Sequence, residues 1–363
     1  MLDDVVRPYV EDGSLPGAVA LVARGDEVEW TAAGTTDGTT PMTRDSIFRL
    51  ASVTKPVTAA AVLLLVADRR LALDDPIGRW LPELAEPVVV RTPASPLDDV
   101  VPVRRPITVY DVLTSQAGWG WASDFSLPAV RALFPVQRDG REPQSFPATD
   151  VWLAELSRVP LLYQPGESWL YDTCSAVQGA LVERVAGSLP EFMAERIFAP
   201  LGMVDTGFTV PRSKRDRFTC YVKDGVPADG KDGQWSTDPA FPLGSGGLVS
   251  TADDWLAFGR MLLGGSLLSP AAVRLMTTDH TAAAQREIGA LFLEGQGWGM
   301  GGAVDIAAVD EWNVPGRYGW VGGTGTSAHV IPSRGTVTIL LTQAGADDPV
   351  PPRWMRDFWR ATR

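Results

Sequence analysis

Apolar and polar positions alternate near both ends of the chain, and alternation is the period of a β-strand. Residues 17–31, GAVALVARGDEVEWT, predict two short strands joined by a turn at residues 24–26. Near the other end, TSAHVI and TVTILLT predict a second hairpin about a turn at residues 332–335. We therefore expect both ends of the chain to form sheet.

Between these ends, the apolar positions recur every three or four residues, which is the period of a helix. The helices predicted from this pattern and from their flanking residues span 55–70, 108–113, 150–157, 175–186, 190–198, 252–263 and 270–276. The final segment, PPRWMRDFWRATR, carries Trp354, Phe358 and Trp359 at helical spacing. We expect it to form an amphipathic helix whose aromatic face packs on the sheet.

Strands from distant ends with helices between them predict a fold of the α/β (α+β) class. Its antiparallel sheet would be built from both chain ends and flanked by helices. We expect one domain over residues 1–363, in which a mostly helical subdomain at about 75–240 is inserted into an α/β part formed by residues 1–74 and 241–363. An active site would lie in the cleft where the sheet meets the helical region.

Composition and charge exclude several classes of function. The 363 residues are 45% hydrophobic, which is sufficient for a large core, and 44 acidic against 32 basic residues give a net charge of −12. This balance argues against nucleic acid or an anionic membrane as a partner. The acidic N-terminus lacks the features of a secretory signal, and no apolar run reaches the roughly 20 residues of a membrane-spanning helix. We expect a soluble, cytoplasmic protein, and no pattern indicates its oligomeric state.

Cysteines and histidines are too few for a disulfide framework or a histidine-rich metal site. Cys174 and Cys220 are the only cysteines and lack the spacing of metal ligands. His280 and His329 are the only histidines, so a Ser/His/Asp triad would have to use one of them. The nucleophile-elbow motif G-x-S-x-G is also absent. We expect no metal and no cofactor.

The segment FRLASVTKPVTAAAVLLLVADRR places Ser52 and Lys55 three residues apart at the start of an apolar helix. On a helix this spacing puts both side chains on one face. Burial and the helix N-terminus would both lower the pKa of Lys55, which would allow it to accept a proton from Ser52. In the alternative interpretation, Ser52 caps the helix and Lys55 is solvated. An S-x-x-K tetrapeptide is common by chance, so the remainder of the chain must decide.

Five segments stand in an order that points to one family: IFRLASVTKPVTAAAVLLLVADRRLALDDPIGRWLPEL, QPGESWLYDTCSAVQGALVERVAG, IFAPLGMVDTGF, GSGGLVSTADDWLAFGRMLLGGSLLSPAAVRLM and GWVGGTGTSAHVIP. The chain resembles the serine β-lactamase and penicillin-binding-protein-like superfamily, in particular its class C branch and the family VIII carboxylesterases. The resemblance extends from about Ile47 to Pro332 and implies a single domain with the β-lactamase-like fold.

The resemblance also implies the roles of the site residues. Ser52 would be the nucleophile, Lys55 its partner, and Tyr171 the base or proton shuttle. A protonated lysine stabilises a nearby tyrosinate, which can take the serine proton and return one to the leaving alkoxide or amine. The backbone N–H groups of Ser52 and Gly323 would form the oxyanion hole. Such a centre needs no histidine.

Two positions depart from the family's pattern. Thr173 stands where the motif Y-x-N commonly has asparagine, so a hydroxyl replaces the carboxamide that would orient substrate and lysine. Trp320 begins a W-V-G segment where β-lactamases show K-T-G or H-T-G, and tryptophan cannot pair with a substrate carboxylate. Family VIII esterases often carry a tryptophan at this place.

Several side chains could line a substrate pocket. Four tryptophans lie in loop or strand-edge contexts: Trp119, Trp121, Trp298 and Trp320. Of these, we assign Trp320 and Trp119 to substrate binding, together with Thr173. Gln116, within LTSQAGWG, is near the place of a polar cleft residue of the family and is assigned to the same group.

We therefore predict a serine hydrolase that cleaves small-molecule carboxylic esters of neutral, fairly apolar acids through an acyl-Ser52 intermediate. A β-lactamase, a D-amino-acid peptidase or an acyltransferase on the same fold would use the same Ser52, Lys55 and Tyr171, because a fold does not determine its substrate. A rival of a different class is a binding or sensor protein that kept the pocket and lost turnover.

Overall fold

The computed structural model describes residues 1–265, 267–345 and 348–363. Its strands are β1 (Gly17–Arg24), β2 (Glu27–Gly34), β3 (Phe48–Arg49), β4 (Val88–Val90), β5 (Val100–Pro102), β6 (Tyr221–Lys223), β7 (Val226–Asp229), β8 (Val249–Ser250), β9 (Gly297–Trp298), β10 (Ala303–Val304), β11 (Tyr318–Gly322), β12 (Thr326–Ile331) and β13 (Thr336–Thr342). Its α-helices are α1 (Leu2–Glu11), α2 (Lys55–Ala67), α3 (Val109–Leu113), α4 (Pro128–Gln137), α5 (Thr149–Leu156), α6 (Thr173–Ala186), α7 (Leu189–Met193), α8 (Ala199–Leu201), α9 (Ala252–Leu262), α10 (Pro270–Met276), α11 (Ala283–Ile288), α12 (Ala290–Leu293) and α13 (Arg353–Thr362).

The main sheet joins the two ends of the chain. Its strand order is β2-β1-β13-β12-β11-β10-β9, and neighbouring strands are antiparallel. Strand β1 pairs with β13 from Ala18 opposite Thr342 to Arg24 opposite Thr336. The prediction of one antiparallel sheet assembled from both termini is therefore confirmed.

Both faces of the sheet are covered, and strand β1 shows this directly. Ala18, Ala20 and Val22 belong to the apolar cluster formed with α1 and α13. Val19 and Leu21, on the opposite face, belong to the main core. Because side chains alternate along a strand, a strand buried on both faces is apolar throughout, and this explains the run of apolar residues in β1.

The C-terminal helix packs on the sheet as expected. In α13, Met355, Phe358 and Trp359 are buried in the cluster that also contains Leu2 and Val6 of α1. Helix α1 was not predicted, and neither was α4. Each contains an internal proline, at Pro8 and Pro135, which masks the helical period.

Helix α2 lies at the centre of the molecule. Every side chain from residue 55 to residue 65 is buried, so this stretch of the helix has no solvent-exposed face. It packs against α6, which was predicted within two residues of its observed start. A mostly apolar helix that is buried on all sides lies in a core, and its first residues are therefore in a low-dielectric environment. None of the helices in the described ranges is long and apolar enough to cross a membrane.

Candidate active site

The backbone before α2 holds Ser52 against the end of strand β11. Ser52 lies in a short 3₁₀ turn, Ala51–Thr54, and Ala51 adopts a left-handed φ of 45°. The hydroxyl of Thr326 donates to the carbonyl of Leu50 at 2.8 Å. A Cβ on Gly322 would clash with that same carbonyl, so only glycine permits this close approach. The strained turn is held in place from both sides, as is common at catalytic sites.

Tyr171 is placed by backbone pairing and by a strained turn. Its N–H and C=O pair with the C=O and N–H of Trp121 at 3.0 and 2.9 Å. The following residue, Asp172, has φ 79° and ψ −61°, and the N–H of Thr173 bonds the carbonyl of Tyr171 at 3.2 Å. This is a γ-turn of the rare, strained kind. Helix α6 begins directly after this turn. Within the turn the two side chains point to different partners, Tyr171 to Ser52 Oγ and Asp172 to Lys55 Nζ.

The three residues assigned to the catalytic centre lie together. Lys55 Nζ donates to Ser52 Oγ at 2.7 Å, and the hydroxyl of Tyr171 donates to the same oxygen at 2.9 Å. The indole N–H of Trp320 donates to the Tyr171 oxygen at 2.8 Å. The Tyr171 ring stacks on Phe292 with ring centroids 4.7 Å apart. The oxygens of Ser52 and Tyr171 therefore each have a fixed neighbour, and the phenol has little freedom to rotate away.

The ammonium of Lys55 has a full set of acceptors. Besides Ser52, it contacts Asp172 Oδ1 at 2.6 Å and the carbonyl of Ser245 at 2.8 Å, and its side chain is only 1% exposed. Burial lowers the pKa of Lys55, but the charge of Asp172 and the contact with Tyr171 outweigh burial and leave the pKa raised. The expectation of a lowered lysine pKa is wrong, because it did not include this carboxylate. The alternative of a solvated Lys55 is also wrong.

Asp172 is the site residue that sequence reasoning missed. The available signal was an acid directly after the motif tyrosine, in the unassigned position of Y-x-N. Gln137 Nε2 holds Asp172 Oδ2 at 3.1 Å and Thr173 Oγ1 at 2.9 Å. Thr173 is completely buried as the first residue of α6, so its assignment to substrate binding is wrong. Its hydroxyl is directed to Gln137, and the position beside Lys55 is taken by Asp172.

Trp119 lies in the core, so its assignment to substrate binding is wrong. It is 1% exposed, and its indole N–H donates to the carbonyl of Val159 at 2.8 Å. Gly118 and Gly120 have φ of 105° and 143°, which interrupts the regular alternation of side chains in this segment. As a result, Trp121 reaches the cavity beside Ser52.

Gln116 is also a structural residue, and its assignment to substrate binding is wrong. It is buried, its Nε2 donates to the carbonyl of His280 at 3.1 Å, and its Oε1 accepts from Gln285 Nε2 at 2.9 Å. Gln285 belongs to α11, a helix that the sequence did not predict. The amide is therefore used to fasten α11 to the loop before Trp119.

Ser52 lies where two cavities of the described structure meet. The aromatic cavity, of about 340 Å³, is lined by Ser52, Gly323, the charged residues Arg141 and Asp348, and the following apolar and aromatic side chains: Trp121, Phe125, Tyr171, Phe292, Trp320 and Met355. The charged cavity, of about 510 Å³, is also lined by Ser52, Gly323 and Trp121, by the apolar side chains of Phe134 and Leu243, and by the following polar residues: Gln137, Arg138, Asp139, Arg141, Asp172 and Ser245. Trp320 thus lines a cavity at Ser52, as its assignment requires.

Neither histidine lies in these cavities. His280 Nε2 is 2.7 Å from the carbonyl of Leu275. His329 lies in the middle of β12, where burial and the charge of Arg317 lower its pKa well below 6.5. A Ser/His/Asp arrangement is therefore not formed at Ser52.

With this geometry established, comparisons with known proteins identify the family. The family model described as Beta-lactamase matches residues 2–358. The chain belongs to the beta-lactamase family. Protein Rv1367c of Mycobacterium tuberculosis is 38% identical over 360 residues, which cover 93% of this chain and 88% of that protein. Esterase EstB of Burkholderia gladioli is 33% identical over 369 residues, which cover 94% of this chain and 89% of EstB.

A solved structure supports the same conclusion. EstCE1, described as a hydrolase with promiscuous acyltransferase activity, aligns with 99% of this chain and 97% of its own chain, with a TM-score of 0.81 and 27% identity. The resemblance to the serine β-lactamase superfamily and the β-lactamase-like fold are thereby confirmed. The protein belongs to a serine-hydrolase family whose members include esterases and acyltransferases.

Proposed function

We propose that this protein is a carboxylesterase that forms an acyl intermediate on Ser52. The observation that carries the proposal is the contact of Ser52 Oγ with both Lys55 Nζ, at 2.7 Å, and the Tyr171 hydroxyl, at 2.9 Å. A nucleophile within hydrogen-bond distance of its base and of a fixed cation is the arrangement that acyl transfer requires. Esterase EstB, which is 33% identical, supports the reaction class.

Tyr171 is the base in this mechanism. The contact of Lys55 Nζ with Asp172 Oδ1 at 2.6 Å and the raised pKa of Lys55 favour its ammonium form, which has no lone pair for the serine proton. When Tyr171 is in its phenolate form, it takes the proton from Ser52, whose Oγ forms a bond to the ester carbonyl carbon. The bond from that carbon to the alcohol oxygen then breaks, and Tyr171 returns the proton to this oxygen. In the second half, water donates its proton to Tyr171 and attacks the acyl carbon, and the proton returns to Ser52 as the acid leaves.

The oxyanion would be bound by the backbone N–H groups of Ser52 and Gly323. Both residues line both cavities, so a carbonyl between the cavities lies between them. The hydroxyls of Thr324 and Thr326 bond the carbonyls of Arg49 and Leu50 at 2.7 and 2.8 Å. These bonds hold the turn of Gly323 on the nucleophile's own backbone. Donors that are fixed before the reaction stabilise the developing charge without reorganisation.

Trp320 favours neutral esters over β-lactams and peptides. Where a lysine would pair with a substrate carboxylate, this indole donates its only N–H to Tyr171. The cavity wall at this point is therefore aromatic and uncharged. Acyl transfer to an alcohol is a second candidate, because it proceeds from the same acyl-Ser52. EstCE1, a hydrolase with promiscuous acyltransferase activity, supports it.

Two measurements test the proposal. A fluorophosphonate should label Ser52, as located by peptide mapping, and Ser52→Ala should abolish the label. Turnover of p-nitrophenyl butyrate should exceed turnover of a chromogenic cephalosporin, and Ser52→Ala should remove both activities. Rapid cephalosporin cleavage without ester turnover would reject the esterase assignment, and absence of labelling would indicate a binding protein.

A further inference from the structure

The two cavities at Ser52 differ in chemistry, and an ester has two parts to distribute between them. The aromatic cavity presents mostly ring faces and edges, although Arg141 and Asp348 also line it. The charged cavity presents two arginines, two aspartates and an amide, beside the apolar side chains of Trp121, Phe134 and Leu243. The carbonyl carbon must lie at Ser52, where the cavities meet. The acyl part and the alcohol part therefore extend into different cavities.

The position of Tyr171 decides which part enters which cavity. This residue must return a proton to the alcohol oxygen, so that oxygen has to lie within hydrogen-bond distance of the phenol. Among the described residues, Tyr171 lines the aromatic cavity but not the charged one. The leaving oxygen, and the group attached to it, must then lie in the aromatic cavity.

We infer that the substrate is an ester of a bulky apolar alcohol, aromatic or polycyclic, whose acyl group is short or polar and occupies the charged cavity. This inference rests on the proposed esterase function. It also changes the sequence-based expectation, which placed the apolar group in the acid. The aromatic wall beside Tyr171 is used by the alcohol instead.

The aromatic rings form a continuous path from the serine to the surface. Phe292 stacks on Tyr171, and Phe125 meets the edge of Phe292 with ring centroids 6.0 Å apart. Trp121 is 6.2 Å from Phe125. Phe125 remains 38% exposed, so its ring is in contact with water in the free protein. A ligand that covers these faces removes apolar area from water and gains ring contacts, which gives the cavity a preference for a large apolar group.

The polar groups of the charged cavity make it less favourable for a long apolar group. Arg141 forms a paired contact with Asp139, with nitrogen–oxygen distances of 2.8 Å, and Gln137 holds Asp172. A long apolar chain would cover these polar groups without replacing their contacts with water, and such desolvation is costly. A short acyl group leaves them hydrated, and a polar one can bond to them.

Phe125 and Phe134 provide a matched pair for the test. Their rings are 6.3 Å apart, both are exposed, at 38% and 50%, and both contact Trp121. Phe125 lines the aromatic cavity, whereas Phe134 lines the charged one. Because both side chains reach water, replacement by serine should leave the fold intact.

The experiment measures kcat/KM for two series of esters. The first keeps butyrate and varies the alcohol from ethanol to 2-(2-naphthyl)ethanol, and the second keeps ethanol and varies the acid from acetate to octanoate. We expect the native protein to favour the naphthylethyl over the ethyl ester by at least about tenfold. The alcohol ratio is kcat/KM for the naphthylethyl ester divided by kcat/KM for the ethyl ester, and the acid ratio is kcat/KM for the octanoate divided by kcat/KM for the acetate. Phe125→Ser should reduce the alcohol ratio by roughly 3- to 10-fold, whereas Phe134→Ser should change only the acid ratio. Val226→Ala, an exposed change that lines neither cavity, should alter neither ratio.

Three outcomes would overturn the inference while the esterase function stands. One is a native preference for octanoate over acetate without an alcohol preference. Another is an effect of Phe125→Ser on the acid ratio alone, and the third is an unchanged alcohol ratio in that variant. Failure of the esterase function itself would be recognised separately, because no ester of either series would be hydrolysed and Ser52 would not be labelled.

Discussion

Two of the ion pairs in this protein are largely withdrawn from water, yet their charges serve different ends. Lys55 and Asp172 are 2.6 Å apart, with side chains 1% and 23% exposed. Arg317 and Asp305 are 2.9 Å apart and only 3% and 0% exposed. The first pair opens on the charged cavity through its carboxylate. The second is closed on all sides.

The partners of each pair show what its charge is used for. Asp305 accepts further hydrogen bonds from the N–H of Val314 at 2.8 Å and from Asn313 Nδ2 at 3.0 Å, so its charge organises the loop before β11. Lys55 instead donates to Ser52 Oγ, an oxygen that is expected to react. A lysine suits this task because its three donors can point in three directions, whereas the weakly hydrated guanidinium of arginine suits a closed ion pair. The comparison predicts that the Lys55–Asp172 pair governs activity and that the Arg317–Asp305 pair governs stability.

The largest expected effect is on turnover when the functional pair is broken. Lys55→Met keeps the length of the side chain and removes its charge, so Ser52 and the oxyanion lose their nearby cation. We expect kcat for p-nitrophenyl butyrate to fall by about 10³- to 10⁴-fold. The melting temperature, measured alongside, should show that the variant is folded. Turnover within tenfold of the native value would show that the ammonium is not needed.

The next effect is on stability when the closed pair is broken. Arg317→Met leaves the carboxylate of Asp305 buried without its cation, which costs about 3–5 kcal/mol of the free energy of unfolding. Urea denaturation measures this loss, and kcat of the folded fraction should be retained. Arg7→Met, which breaks an exposed pair with Asp3, is the control and should cost little. A loss of kcat in Arg317→Met with an unchanged free energy of unfolding would show that this pair governs activity instead of stability.

A smaller effect is expected when the charge of Asp172 is removed and its shape is kept. In Asp172→Asn, only the contact with Tyr171 still opposes burial, so the pKa of Lys55 falls and the lysine loses its proton at a lower pH than in the native protein. We expect kcat to fall roughly 10- to 100-fold at neutral pH, and the alkaline limb of the kcat profile to move to lower pH.

The same variant distinguishes between the two possible bases. If neutral Lys55 were the base, the lowered lysine pKa would raise kcat at neutral pH instead. A gain of activity in Asp172→Asn would therefore contradict the role of Tyr171. Asp172→Glu, which retains the charge, should restore the position of the alkaline limb more fully than it restores kcat.

The smallest effect concerns His329, which lies near the closed pair. Burial and the charge of Arg317 lower its pKa well below 6.5, so the folded protein keeps it neutral while the unfolded chain protonates it below about pH 6.5. The unfolded state then binds the additional proton, and stability falls with decreasing pH by at most about 1.4 kcal/mol per pH unit. In His329→Gln this contribution should vanish. Equal pH slopes for both proteins between pH 7.5 and 5, measured by urea denaturation, would contradict the assignment.

Much of the fold could be predicted because it depends on local period. Alternation marked β1, β12 and β13, and the apolar run of α2 marked a buried helix. Helices α1 and α4 were missed because Pro8 and Pro135 interrupt their patterns. The order of the motifs predicted which serine, lysine and tyrosine would meet, and the structure brings these three side chains together.

What the sequence determined by itself was the strands at the two chain ends, several of the helices, which follow from local period, and the choice of Ser52, Lys55 and Tyr171, which the family resemblance of their motifs implies. The tertiary structure alone decided that Asp172 holds the lysine and that Trp121, not Trp119, reaches the cavity. It also decided that Ser52 lies between an aromatic and a charged space. The physical reason is distance along the chain: an ion pair between residues 55 and 172, or a cavity wall assembled from several loops, depends on how remote segments pack. Periodicity carries no information about such packing.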